Sequence, residues 1–113
     1  MPHILVEYTD TLTSVDVPQL LVDLHNDLAE KDTINIQAIK TRAVPVQYSI
    51  VGDASQADNF IHITLKLLPG RDDDLKKLMA QGLHDAARKT HVRDQNISLS
   101  VEVAELHAES YIK

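Results

Sequence analysis

Met1-Pro2-His3-Ile4-Leu5-Val6-Glu7-Tyr8 begins the chain, and its alternation sets the reading of everything after it. Ile4, Val6 and Tyr8 share one side of an extended segment, with His3, Leu5 and Glu7 on the other. A shift of 57 residues lays Ile61, Ile63 and Leu65 on those apolar positions, and Leu78 on Leu21. The correspondence is weak at any one site but recurs in two kinds of element, which points to an internal duplication.

Each half repeats the same order of patterns. After a polar, turn-like stretch from Thr9 to Ser14, Val17, Leu20, Leu21, Leu24 and Leu28 recur at helical spacing over about Val15 to Glu30. Asp16 suits the helix start, and Pro18 falls in the first turn, where a missing N–H costs little. From Ile39 to Ile50 the period returns to two, with Pro45 marking this strand as an edge or bulged one. A polar connection from Gly52 to Asn59 leads into the second strand pattern. Pro69-Gly70 ends it, and Asp72, Asp73 and Asp74 suit a second helix start. Leu75, Leu78, Met79, Leu83 and Ala86 form that helix's stripe, ending near Thr90; Ile97, Leu99, Val101 and Val103 alternate last. The tail from Ala104 to Lys113 has no strong period.

Strand–helix–strand, twice over, predicts an α+β fold. Two tandem, right-handed β-α-β units, about 2–50 and 59–104, form one four-stranded mixed sheet with both helices on one face. The whole chain, 1–113, reads as one domain, long enough to bury roughly two-thirds of its unfolded surface. The opposite sheet face carries His3, Leu5, Glu7, His62, Thr64, Lys66, Ser100 and Glu102, too mixed for a core. It is either solvated or the lining of an oligomer, and the residues alone leave both open.

Composition removes several functional classes. Hydrophobic residues at 43% and charged residues at 25% describe a globular chain. Without cysteine there are no disulfides, thiolate metal sites or cysteine nucleophiles. No apolar run approaches membrane-spanning length and the start lacks a signal-peptide layout, so the expectation is a cytoplasmic protein with no membrane partner. A net charge of −6 disfavours nucleic acid. The six histidines form no recognisable ligand pattern, so no metal site is expected. P-loop, dinucleotide-binding and nucleophile-elbow motifs are missing from the sequence.

Two features bear on chemistry. A small second residue permits removal of Met1, which would leave Pro2 with a free secondary amine, whereas Pro18, Pro45 and Pro69 are amides. A free α-amino group titrates near pH ~8, and burial or a nearby cation lowers that value toward the range a proton shuttle needs. Pro2 otherwise is simply a second residue that happens to be proline. The basic residues supply the other feature. Lys40 and Arg42 leave the same face of a strand, and Arg71 stands at the second helix start, where a cation beside free N–H groups suits a carboxylate ligand. The bland account is ordinary surface charge, with Arg71 offsetting Asp72 to Asp74.

Taken together, Pro2-His3-Ile4-Leu5-Val6-Glu7, Ala38-Ile39-Lys40-Thr41-Arg42, Phe60-Ile61-His62-Ile63-Thr64-Leu65-Lys66 with Gly70-Arg71, and Val101 to His107 are similar to the tautomerase superfamily. Within it, the chain most resembles the 5-carboxymethyl-2-hydroxymuconate isomerase family, over nearly its full length. The resemblance implies a homotrimer, no cofactor, and catalysis by the amino-terminal proline. It also implies a small anionic di- or tricarboxylate substrate held by Arg42, Arg71 and Lys40. Family members often carry two arginines flanking one residue where this chain has Lys40 and then Arg42; lysine keeps the charge but not the bidentate fork. Two alternatives stand beside this expectation: a related tautomerase acting on another enol acid, and a trimeric binding module in which Pro2 is structural.

Overall fold

The computed structural model describes residues 1–54, 58–92 and 96–113. Strand β1 (His3–Thr9) is followed by helix α1 (Val17–Ala29), a 3₁₀ turn (Ile36–Ala38) and strand β2 (Lys40–Val46). Strand β3 (Asn59–Leu67), helix α2 (Asp73–Thr90) and strand β4 (Ile97–Glu105) repeat the order. The sheet runs β2-β1-β3-β4. Pairing is parallel within each half, β1 with β2 and β3 with β4, and antiparallel where the halves meet at β1 and β3. This is the α+β arrangement that the two periods predict.

Helix ends follow the cap chemistry. The Asp16 carboxylate accepts from Gln19 N at 3.1 Å, with Pro18 in the first turn, and Asp72 accepts from Leu75 N at 2.9 Å. Asp73 and Asp74 sit in the first turn of α2 and Arg88 and Lys89 in its last, each sign matching the helix dipole. Leu20, Leu24 and Leu28 of α1 and Met79, Leu83 and Ala87 of α2 bury against Ile4, Val6, Ile61, Ile63 and Leu65. These side chains are at most 1% exposed, so each contributes about 1.5–3 kcal/mol of transfer free energy, Ala87 less. Among the described residues, no helix is long and apolar enough to cross a membrane.

Three expectations need correcting. The strand expected over Ile39 to Ile50 is shorter, because Thr9 is the last residue of β1 and its partner Val46 is therefore the last that can pair. Asp10 N closes the ladder on Val46 O at 3.1 Å, and Tyr48 and Ile50 beyond it are 84% and 88% exposed. Thr9 belongs to β1 rather than to a turn, and it is buried because its hydroxyl is bonded. Leu78 is 67% exposed, since the stripe that meets the sheet is Leu75, Met79, Leu83 and Ala87, and Leu78 lies about 100° around the helix from it. Pro45, as expected, lies in an edge strand, opposite Tyr8. The connection expected over Gly52 to Asn59 lies partly outside the described residues.

Candidate active site

The sheet end at which β1 starts and β3 finishes carries a cavity of about 290 Å³. Pro2 reaches it from the front of β1, buried, with its carbonyl accepting from Lys40 N at 3.0 Å. Thr33 and Asn35 come from the segment between α1 and the 3₁₀ turn, and Leu67 and Leu68 from the end of β3. Arg71 and Lys113 complete the wall, and among the described residues no Asp or Glu takes part in it. In a chain of net charge −6, a pocket walled by two cationic side chains and no acidic side chain is a local inversion of sign.

Arg71 gets there by a backbone device. Gly70 has φ +129°, a conformation that L side chains rarely adopt, and it turns the chain between β3 and α2. Arg71 Nη2 then donates to Thr33 O at 3.3 Å and Thr33 Oγ1 at 3.2 Å. Its Nε is buried and, among the described residues, has no acceptor. A buried N–H without an acceptor costs free energy, and a guanidinium on a cavity wall suits a carboxylate.

The amino terminus lies at the same place. The Met1 α-ammonium donates to Ala38 O at 2.8 Å, and Lys40 Nζ donates to that same oxygen at 3.3 Å. Burial, then the Lys40 charge and hydrogen bond, then Lys113, hold the α-amino group below its usual value. An amine at this spot is thus biased toward its neutral, proton-accepting form.

Of the four residues singled out from sequence, Pro2 and Arg71 face one cavity and Lys40 stands beside it. Arg42 does not line it. It projects from the helix-free face of β2, where its Nη1 donates to His3 Nδ1 at 3.1 Å. Thr33 and Lys113 are among the wall residues that were not anticipated. Thr33 lies past the predicted end of the first helix, and its role as acceptor for Arg71 has no local signature. Lys113 lies in the aperiodic tail, and only the path of that tail brings it to Pro2. Among the described residues no group of three or more His, Asp or Glu is arranged to hold a metal ion.

The family model for 5-carboxymethyl-2-hydroxymuconate isomerase matches residues 2–113. The chain belongs to that family. It is an isomerase of the tautomerase superfamily. The 5-carboxymethyl-2-hydroxymuconate Delta-isomerase of Escherichia coli is 28% identical over 112 residues, covering 95% of this chain and 88% of the relative. The crystal structure of a 5-carboxymethyl-2-hydroxymuconate isomerase from Deinococcus radiodurans R1 is also 28% identical, covers 99% of this chain and 87% of that one, and superposes with a TM-score of 0.86. A fused 4-OT symmetric trimer, 18% identical, shares the fold at a TM-score of 0.73, over 97% of this chain and 92% of its own. For this isomerase family member, the matched span begins at Pro2, the residue that lines the cavity.

Proposed function

We propose that this isomerase, after loss of Met1, moves a proton within an anionic dienol such as 5-carboxymethyl-2-hydroxymuconate without a cofactor, using Pro2 as the shuttle. The neutral Pro2 nitrogen takes the proton of the 2-hydroxyl. The electron pair of that O–H bond becomes the C2 carbonyl, and the C2–C3 and C4–C5 double bonds move to a single C3–C4 double bond. C5 takes the proton back from Pro2, so atoms and charge balance and the product is the conjugated ketone. Arg71 holds a substrate carboxylate through its guanidinium, and the cations at the cavity stabilise negative charge developing on oxygen. Lys40 contributes mainly by its charge beside the amine. Arg42 lies on the face where a neighbouring subunit docks.

The observation that carries this reading is the convergence of Pro2 and Arg71 on one pocket with no Asp or Glu among its described wall residues. Holding the dienol against a single fixed base is itself worth much of the rate. Homotrimeric assembly is supported by the helix-free face and by apolar side chains left at its edge, Val44 at 47% and Ile50 at 88% exposed. The trimeric relative of the same fold points the same way. The experiment is a stopped-flow assay of the dienol with terminal mass measured on the same sample. Protein beginning at Pro2 turns over, and protein retaining Met1 or acetylated at Pro2 loses at least about 100-fold in kcat, as for removal of a general base. Full turnover by the blocked chain takes Pro2 out of the mechanism.

A further inference from the structure

The segment after β4 does not run off into solvent. Leu106 N donates to Leu67 O at 2.7 Å, so the chain leaves the sheet at the cavity end. His107 then anchors a turn, its carbonyl accepting from Ser110 N at 3.2 Å and Tyr111 N at 3.0 Å. Tyr111 crosses to β1, where its hydroxyl lies 2.7 Å from His3 Nε2 with the two rings edge-on, centroids 5.8 Å apart. Arg42 can only donate, so the His3 Nδ1 it meets is the bare nitrogen, and Nε2 carries the hydrogen that His3 gives to the Tyr111 oxygen. Burial, with the nearby cations behind it, keeps His3 below its usual value and neutral, as this tautomer requires. Two residues past this clasp, Lys113 forms part of the cavity wall with Pro2 and Arg71.

An ammonium in a pocket that already holds a guanidinium and borders on Lys40 meets repulsion in the empty site. No Asp or Glu side chain among the described wall residues offsets it. A ligand's negative groups would, and the charge of one guanidinium balances only one carboxylate. A cation so placed discriminates between ligands by their number of negative groups.

We propose that Lys113 is a specificity-determining residue of this cavity: it takes a carboxylate that Arg71 does not hold, and the His3–Tyr111 hydrogen bond keeps it there. The inference rests on the isomerase reading for its substrate, a polycarboxylate dienol, and on the cavity alone for its charge logic.

The test separates the two. Titration calorimetry on the protein beginning at Pro2 uses two unreactive six-carbon dienes: muconate, with two carboxylates, and sorbate, with one. Lys113→Ala weakens muconate on the order of 10-fold, as expected for one partly screened charge-assisted bond, and leaves sorbate nearly unchanged. Lys113→Arg restores muconate binding, and Tyr111→Phe, which keeps the ring and removes the acceptor, loses part of it. Equal losses for both ligands, no loss for either, or a parent protein that does not bind muconate overturns the assignment. A parent that binds muconate through Lys113 yet leaves the dienol unconverted breaks the catalytic reading and leaves Lys113 in place.

Discussion

The two ends of the sheet are built from the same kinds of residue and spend them differently. Where β1 ends and β3 begins, Thr9 Oγ1 and Thr11 Oγ1 both donate to Asn59 Oδ1, at 2.7 and 2.9 Å, and Phe60 N donates to Thr9 Oγ1 at 3.4 Å. Every polar group named there is answered by another group of the same chain. Where β1 begins and β3 ends, Arg71 keeps a buried donor without an acceptor and three cations gather around the terminal amine. The duplication makes this contrast informative. One fold generates both ends, so the unspent donor and the surplus of positive charge are not consequences of the architecture. They mark the end we propose for the ligand.

The sharpest way to break the contrast is to remove the unspent donor. Arg71→Ala is expected to lower kcat/KM on the dienol by about 100-fold or more, in the range reported for loss of one preorganised donor at a developing anion. Thermal unfolding should fall only modestly, because the Nη2 bonds to Thr33 that are lost are exposed ones and Nε makes none among the described residues. A variant that keeps its activity would reduce Arg71 to a helix-start charge. Asn59→Ala is the mirror experiment. It leaves the Thr9 hydroxyl buried without its acceptor, and the expected cost is about 1–3 kcal/mol of stability with kcat/KM unchanged. Loss of activity in a folded Asn59→Ala protein would show that the two ends are coupled.

How much of this contrast was legible in the sequence differs between its parts. The alternation of Ile4, Val6, Ile61, Ile63 and Leu65 and the caps at Asp16 and Asp72 are local, so the strands, the helix starts and the sheet followed from them. Where β2 stops is not local. Nothing in Gln47 to Ile50 says that β1 has run out of residues to pair with, and Leu78 is apolar at a position that only the helix's rotation on the sheet exposes. The site divides in the same way. Pro2 and Arg71 stood out by chemistry, and antiparallel pairing of β1 with β3 puts Pro2 beside the end of β3. Lys40 and Arg42 shared a face as read, but the parallel register of Lys40 with His3 leaves only the first of them near the amine. Thr33 and Lys113 depend on the paths of two connecting segments, which carry no period to read.

A smaller effect sharpens the electrostatic half of the comparison. Lys40 and the Met1 amine share Ala38 O, and the Lys40 charge is among the causes that hold that amine down. In the proposed mechanism the neutral Pro2 amine, freed by loss of Met1 beside the same Lys40, is the active form, so activity falls as pH drops through its pKa. Removing a neighbouring cation raises that pKa, and Lys40→Ala is expected to move the acidic limb of the kcat/KM profile to higher pH while the plateau stays within a few-fold. A limb that moves to lower pH, or stays fixed, means that burial alone sets the amine and Lys40 is a bystander.

The least effect is expected at a second buried atom that makes no hydrogen bond among the described residues, Asp27 Oδ2. It sits where the two helices pack closely, whereas Arg71 belongs to the cavity wall. A Cβ on Gly82 of α2 would lie 2.9 Å from this oxygen, and Lys31 Nζ stands 3.9 Å away. Burial raises the Asp27 pKa, with Glu30 and Asp85 adding to it against Lys31. With the folded-state value above the unfolded one, the native protein holds the extra proton, so stability falls as pH rises through the window between the two values and is fully reduced above it. Asp27→Asn should therefore raise Tm modestly at pH 7 and have no effect near pH 3, where the carboxyl is protonated in both states. An unchanged Tm at pH 7 would mean that Lys31 neutralises the charge despite the distance. A gain confined to neutral pH with activity intact would identify this atom as a cost of close helix packing.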